Sequence, residues 1–275
     1  GGEDGRRQLR NIFDEADRVA FFAFAAQCLQ DALVADASHK VDPQFRQLAS
    51  LLERRIQAGA TLRVLDYSAG RGRFAAEIAR RFSQEQRAQI DYFTYDDQRY
   101  DTDALRRSRR EHLREMYPEG EGAEERMLHE ISDVKHERMV DLVILCNVLH
   151  EIEPIAWLQT FGQIRDALKD DGFLLIMEDQ EIAVGELPNP TGFIVLELAE
   201  LRELFGSTDG VVPLPGTSGG RCSAVLITRD EIQKLLDKEQ EGRRSRIRGA
   251  LSALRDRMIA KVKVVRSKTT LSYRE

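Results

Sequence analysis

From Thr61 onward, short apolar runs alternate with stretches in which apolar residues return every three or four positions. "TLRVLD" has the pattern of a strand and "RFAAEIARRF" that of a helix. "IDYFTYDD" predicts a second strand, "DTDALRRSRREHLREMY" a charged helix, "RMLHEI" a weaker strand and "MVDLVILCN" a strong one. A helix follows from about Ile155 to Leu168, and Asp171-Gly172 turns into the strand "GFLLIMED". This alternation predicts an α/β fold with a mainly parallel sheet covered by helices on both faces.

The flanks read differently. Residues 1–60 read as helical. "DRVAFFAFAAQCLQDALV" is apolar on more than one face, and in "DPQFRQLASLLERRI" Asp42 is placed as N-cap and Pro43 as the first helical residue. Phe45, Leu48, Leu52 and Ile56 then recur at helical spacing. Beyond Gln180, "LPNPTG" reads as a loop and "FIVLELAELRELFG" as a helix. "VVPLPGTSGGRCSAVLIT" reads as two strands joined by a glycine-rich connection, which would bring the sheet to about seven strands. From Arg229 the chain turns helical again, with Ile247, Leu251, Leu254 and Met258 on one stripe; "VKVVRSKTTLSYRE" has a second reading as the first strand of a further domain. The expected division is a helical segment or lid (1–60), an α/β core (61–228) and a basic helical tail or connector (229–275).

Composition narrows the class. At 275 residues and 42% apolar, the chain can bury a sizeable core, and a net charge of -6 argues against whole-protein attraction to nucleic acid. Cys28, Cys146 and Cys222 form no C-x-x-C pair and no disulfide framework, which suits a reducing cytoplasm; no metal site is assigned. No run reaches membrane-spanning length, so no membrane partner is expected. The opening Gly-Gly reads as a processing scar, and the chain as a piece of something longer. Between Arg243 and Lys268 ten basic residues face one acid, Asp256, an outer face for a further domain or an acidic partner; without interleaved aromatics it is a weak nucleic-acid signal.

The chemistry concentrates in "LRVLDYSAGRGRFAAEIA". In an open α/β sheet the first strand–turn–helix is the usual ligand cradle. A Walker loop requires G-K-[ST], which Arg71-Gly72-Arg73 lacks. Gly70, Gly72 and Ala75 have the spacing of a dinucleotide fingerprint, yet four residues separate the strand from Gly70 and Asp66 would repel a diphosphate. An acid there suits a ligand with an ammonium group. The stretch resembles motif I of the class I S-adenosylmethionine-dependent methyltransferases, [DE]-x-G-x-G-x-G after a first strand. Asp66, Gly70 and Gly72 match it, and Ser68 stands where the first glycine usually is, tolerable if its backbone angles are ordinary. The resemblance implies a Rossmann-like seven-stranded fold and S-adenosyl-L-methionine as cofactor, held by Asp66, Tyr67, Ser68, Ala69, Gly70 and Gly72.

Further elements follow in the family's order. Asp96, with Asp97 as its neighbour, ends the second strand where such enzymes place a ribose acceptor; Asp133 and the backbone of Val134 occupy the adenine position, although "SD" is equally a plain N-cap. "VDLVILCNVLHEIEP" resembles the fourth strand of class I small-molecule methyltransferases, bringing Cys146 and Asn147 to the site edge, and "IRDALKDDGFLLIMEDQ" resembles the fifth-strand unit.

The acceptor is not named by these residues. Cys146-Asn147-Val148-Leu149 is not the [DNS]-P-P-[YF] of amino-directed nucleic-acid enzymes, and Leu145 precedes Cys146 where cytosine-C5 enzymes carry proline. The small-molecule O-methyltransferases use a histidine after the fifth strand, where this chain has Glu178, Asp179, Gln180 and Glu181. The catalytic candidates are therefore Asn147, His150 and Glu151, with His150 a base near neutrality or the plain start of a helix. Arg106, Arg107, Arg109 and Arg110 read as an anion-facing cluster or a solvated helix face. Three functions stay open: a methyltransferase acting on a small molecule or a group on a larger partner, an inactive module of the same fold, and a nucleoside-binding oxidoreductase.

Overall fold

The computed structural model describes residues 42–59, 61–98, 101–117, 122–134, 139–179, 194–214 and 222–269. The apolar stretch Asp17–Val34, the loop "LPNPTG" and the glycine-rich connection before Cys222 lie outside them.

Asp42 caps the first described helix, α1 (Pro43–Gln57), by accepting from the amides of Gln44 and Phe45 at 2.9 and 3.2 Å. The chain then alternates: β1 (Leu62–Tyr67), α2 (Arg73–Arg81), the short α3 (Gln84–Arg87), β2 (Ile90–Tyr95), α4 (Asp103–Met116), β3 (Met127–Leu128) and β4 (Val140–Cys146). Next come α5 (Trp157–Ala167), β5 (Leu168–Asp179), α6 (Leu198–Phe205), β6 (Val211–Pro213), β7 (Cys222–Thr228), α7 (Arg229–Leu236) and α8 (Gln240–Thr269). The seven strands are ordered β3-β2-β1-β4-β5-β7-β6. The first five run parallel, and β7 inserts antiparallel between β5 and β6.

Strand order reverses between β1 and β4, so the crevice beyond their carboxyl ends is where this architecture receives a ligand. Their register is in step there: Asp66 lies beside Thr94 of β2 and Ile144 of β4, and Cys146 beside Met177 of β5.

Two apolar layers cover the sheet. On one face Phe45, Leu48 and Leu52 of α1 join Phe74 and Ile78 of α2 against Val64, Tyr92 and Ile144. On the other, Trp157, Phe161 and Ile164 of α5 meet Leu65, Val143 and Leu174, with Leu201 of α6, Ile232 of α7 and Leu254 of α8. The expected divisions at residues 61 and 229 thus fall between elements that share these cores.

Three elements differ from the sequence expectation. β3 is only two residues long, because Met127 and Leu128 alone pair with Thr94 and Tyr95. The helix expected from Ile155 begins at Trp157, after a 3-10 turn over Leu149–Glu151. Where the tail has a second reading as a strand, residues 270–275 lie outside the described residues, and residues 262–269 belong to α8, which runs to Thr269. Its stripe holds partly, with Leu254 buried while Met258 is 54% exposed.

Candidate active site

The turn after β1 is built by unusual backbone. Ser68 takes φ 62°, Gly70 φ 54° and Gly72 φ 80°. Ser68 is therefore left-handed, and the condition under which serine is tolerable there, ordinary backbone angles, is not met. The turn demands the conformation the missing glycine would supply, and serine bears the steric cost. The amides of Ser68 and Ala69 both donate to Tyr95 O at 2.8 and 3.2 Å, which ties the turn to the end of β2. Gly72 needs its bare Cα for a second reason: a Cβ would sit 3.1 Å from Cγ and 3.2 Å from Cα of Arg109.

Asp66 ends up buried, accepting a 2.6 Å hydrogen bond from the Tyr92 hydroxyl. Burial pushes its carboxyl up to about 7, against the pull of Tyr92 and Arg73. Arg73 opens α2 and pairs with Asp42 at 3.0 Å, while donating to Gln44 Oε1 at 3.0 Å and Cys146 Sγ at 3.1 Å. Burial raises the Cys146 thiol, so it stays protonated. Tyr67 turns its ring away from this cluster, 5.1 Å from that of Tyr95, with its hydroxyl 3.5 Å from Gln163.

Asp96 is at the turn as expected, but it is not simply solvated. Its Oδ2 accepts from Gly70 N and from Arg109 Nη1, both at 2.7 Å. Burial pushes its carboxyl up to about 6, with Arg109 and the Gly70 amide opposing. Asp97 is half-buried beside it. Asp133 is exposed, and its carboxylate accepts from the Glu130 amide at 2.9 Å, a local cap; Val134 is buried.

Across the crevice Asn147 also adopts a left-handed backbone, φ 57°. Its Oδ1 accepts from Gln44 Nε2 at 2.8 Å and from the Asp179 amide at 3.0 Å, so it splices α1 to the ends of β4 and β5. Three residues on, His150 is buried and its Nδ1 lies 2.5 Å from Glu178 Oε2. Glu178 is buried as well, and desolvation raises its carboxyl while the His150 ring pulls it down. Glu151 points to the surface.

Sequence reasoning brought Asp66, Asp96, Asn147 and His150 to one sheet edge, and the structure adds Arg73, Arg109 and Glu178. A signal for Arg109 existed: Leu105, Arg109 and Leu113 share the buried stripe of α4, so the arginine sits where the period calls for an apolar residue. In the sequence Glu178 is one of several neighbouring acids, and nothing local links it to a histidine twenty-eight positions earlier.

A seven-stranded sheet of this order, with an acid and a glycine turn at its switch point, is that of the class I S-adenosylmethionine-dependent methyltransferases. The family model described as a methyltransferase domain matches residues 38–207, and the chain belongs to that family. Among solved structures it is similar to the DszA carbon methyltransferase (18% identity over 68% of this chain and 53% of that one, TM-score 0.48). It is also similar to the CurJ carbon methyltransferase (16%, 62% and 49%, 0.42) and to a TehB-like methyltransferase from Corynebacterium glutamicum (16%, 76% and 98%, 0.41). The chain spans about half the length of the first two. No curated protein matches its sequence. Among the described residues no helix is long and apolar enough to cross a membrane.

Proposed function

We propose that this domain transfers the methyl group of S-adenosylmethionine to an acceptor that must lose a proton, with His150 as base and Glu178 as its partner. The observation that carries the reading is the buried His150–Glu178 pair at the same sheet edge as the glycine turn. The residues at the turn suit the cofactor's zwitterionic end. Asp66 is an acid for the ammonium group, and Arg73, within its electrostatic reach, is a cation for the carboxylate. Asp96 would take the ribose, Asp97 flanks it, and Asp133 and Val134 border the adenine position. Tyr67, Ser68 and Ala69 contribute turn backbone, and Cys146 and Asn147 form the far wall.

When bound, the cofactor supplies an electrophilic methyl group on sulfonium, so much of the protein's task is alignment. With Nδ1–H of His150 donating to Glu178 Oε2 across their 2.5 Å contact, the lone pair of the neutral ring would sit on Nε2. The carboxylate then stabilises the imidazolium that forms when the ring accepts a proton. A base tuned by a buried carboxylate fits an acidic O–H or an activated C–H better than an amine, which already has a lone pair.

The test is calorimetric titration with S-adenosylhomocysteine, followed by its release from S-adenosylmethionine against phenols, thiols and carbon acids. Binding lost in Asp66→Ala, with turnover lost in His150→Ala, supports the reading; no binding at millimolar ligand removes it. A non-catalytic binding module is the second reading, favoured by the burial of His150, whose side chain is 1% exposed. Tight binding with no turnover on any acceptor selects it.

A further inference from the structure

Arg109 is the least expected charge in the molecule. Its side chain is 3% exposed, yet an apolar residue would complete the stripe between Leu105 and Leu113. Burying a guanidinium costs several kcal/mol before its partners respond. Those partners are specific. Nη1 donates to Gly70 O at 2.8 Å and to Asp96 Oδ2 at 2.7 Å, and Nη2 to Asp101 Oδ2 at 2.7 Å. Gly70 N donates to the same Asp96 oxygen, so the two peptide groups of Gly70, Arg109 and Asp96 form a closed ring. The preceding residue, Ser108, donates to Arg71 O at 3.2 Å, and Gly72 packs on Cα of Arg109. One turn of α4 thus grips three successive residues of the glycine turn. Among the described residues Asp96 Oδ1 carries no hydrogen bond.

We propose that Arg109 is the positioning residue of the nucleoside subsite: it locks the glycine turn and holds Asp96 by one oxygen, leaving Oδ1 for a single ribose hydroxyl. The assignment rests on the cofactor reading above. A merely structural arginine would affect folding alone, whereas this one also governs the ionisation of Asp96. The groups facing that carboxyl are Arg109 from α4, Asp101 ahead of α4, Asp97 beside it, Asp66 at the end of β1 and the Gly70 amide. Removing the cation leaves three acids and one amide, so Asp96 holds its proton to higher pH.

The experiment compares wild type, Arg109→Lys and Arg109→Gln by S-adenosylhomocysteine titration at about pH 6.5 and 8.5, and by amide hydrogen exchange of residues 68–72 without ligand. Arg109→Gln is expected to bind roughly tenfold more weakly at the higher pH and weaker still at the lower, with faster exchange across the turn. Arg109→Lys keeps the charge but not the fork, so it should restore the wild-type pH profile while the turn still exchanges faster. Wild-type affinity and exchange in both variants overturn the proposal, as does a loss in Arg109→Gln that is equal at both pH values. If Arg109→Gln does not fold, Arg109→Lys decides alone, and unchanged exchange in it is the overturning result. If the wild type binds no S-adenosylhomocysteine, the cofactor reading fails, while the exchange comparison still decides whether Arg109 locks the turn.

Discussion

The two sides of the switch point bury acids in opposite company. At the ends of β1 and β2, Asp66 and Asp96 are faced by a tyrosine hydroxyl and two guanidiniums, groups that keep their protonation state through the neutral range. At the ends of β4 and β5, Glu178 is faced by an imidazole, whose ordinary pKa lies within that range. A carboxylate faced by arginine has a partner that stays charged, which suits gripping a ligand. A carboxylate held by histidine belongs to a pair that can pass a proton. On the proposed function, the contrast would divide the site into a holding half and a proton-moving half.

Several experiments break or sharpen that division. The largest effect is expected from His150→Ala and Glu178→Gln, which should lower methyl transfer about 10²- to 10⁴-fold while leaving S-adenosylhomocysteine affinity within about threefold. Equal losses in binding and turnover would erase the boundary between the halves. Asp66→Ala should do the reverse, weakening binding by roughly a hundredfold in calorimetry, since it removes the acid opposite the ligand's ammonium group.

Proton linkage gives a third test. With its carboxyl up at about 7, Asp66 is neutral at lower pH, and an ammonium ligand must first expel that proton. S-adenosylhomocysteine affinity should therefore rise about tenfold per pH unit below 7 and flatten above it, and Asp66→Asn should level the profile. The same shift acts oppositely on folding. Asp66 binds its proton more tightly folded than unfolded, so its contribution to stability falls as pH rises from about 4 to 7 and is constant beyond. The smallest effect is Ser68→Gly, which relieves a left-handed serine and should raise stability by about 0.5–1 kcal/mol in thermal unfolding.

How much of this was legible beforehand follows from range. The β1 turn, the four parallel runs that flank it and the capped helix at Asp42 are written in contiguous residues, so period and turn chemistry reveal them. His150 was visible as a residue type, but its partner lies on another strand and only the β4–β5 register brings them together. The role of Arg109 is hidden for a related reason. Four arginines on one helix look like a solvated face, and what separates Arg109 from its neighbours is that α4 packs on Gly72. Local backbone was equally hidden at Ser68 and Asn147, since neither residue announces a left-handed angle.

The insertion of β7 between β5 and β6 also bears on the order in which the molecule can be made. As the chain leaves the ribosome, β1 to β5 can pair with one another in turn, but β6 emerges with no neighbour to join. Its partner among the described residues, β7, ends at Thr228. Until then the edge of β5 from Phe173 to Asp179 stands unpaired, a template for any other extended chain. A nascent protein halted near Leu214 would thus carry an open, aggregation-prone edge on β5.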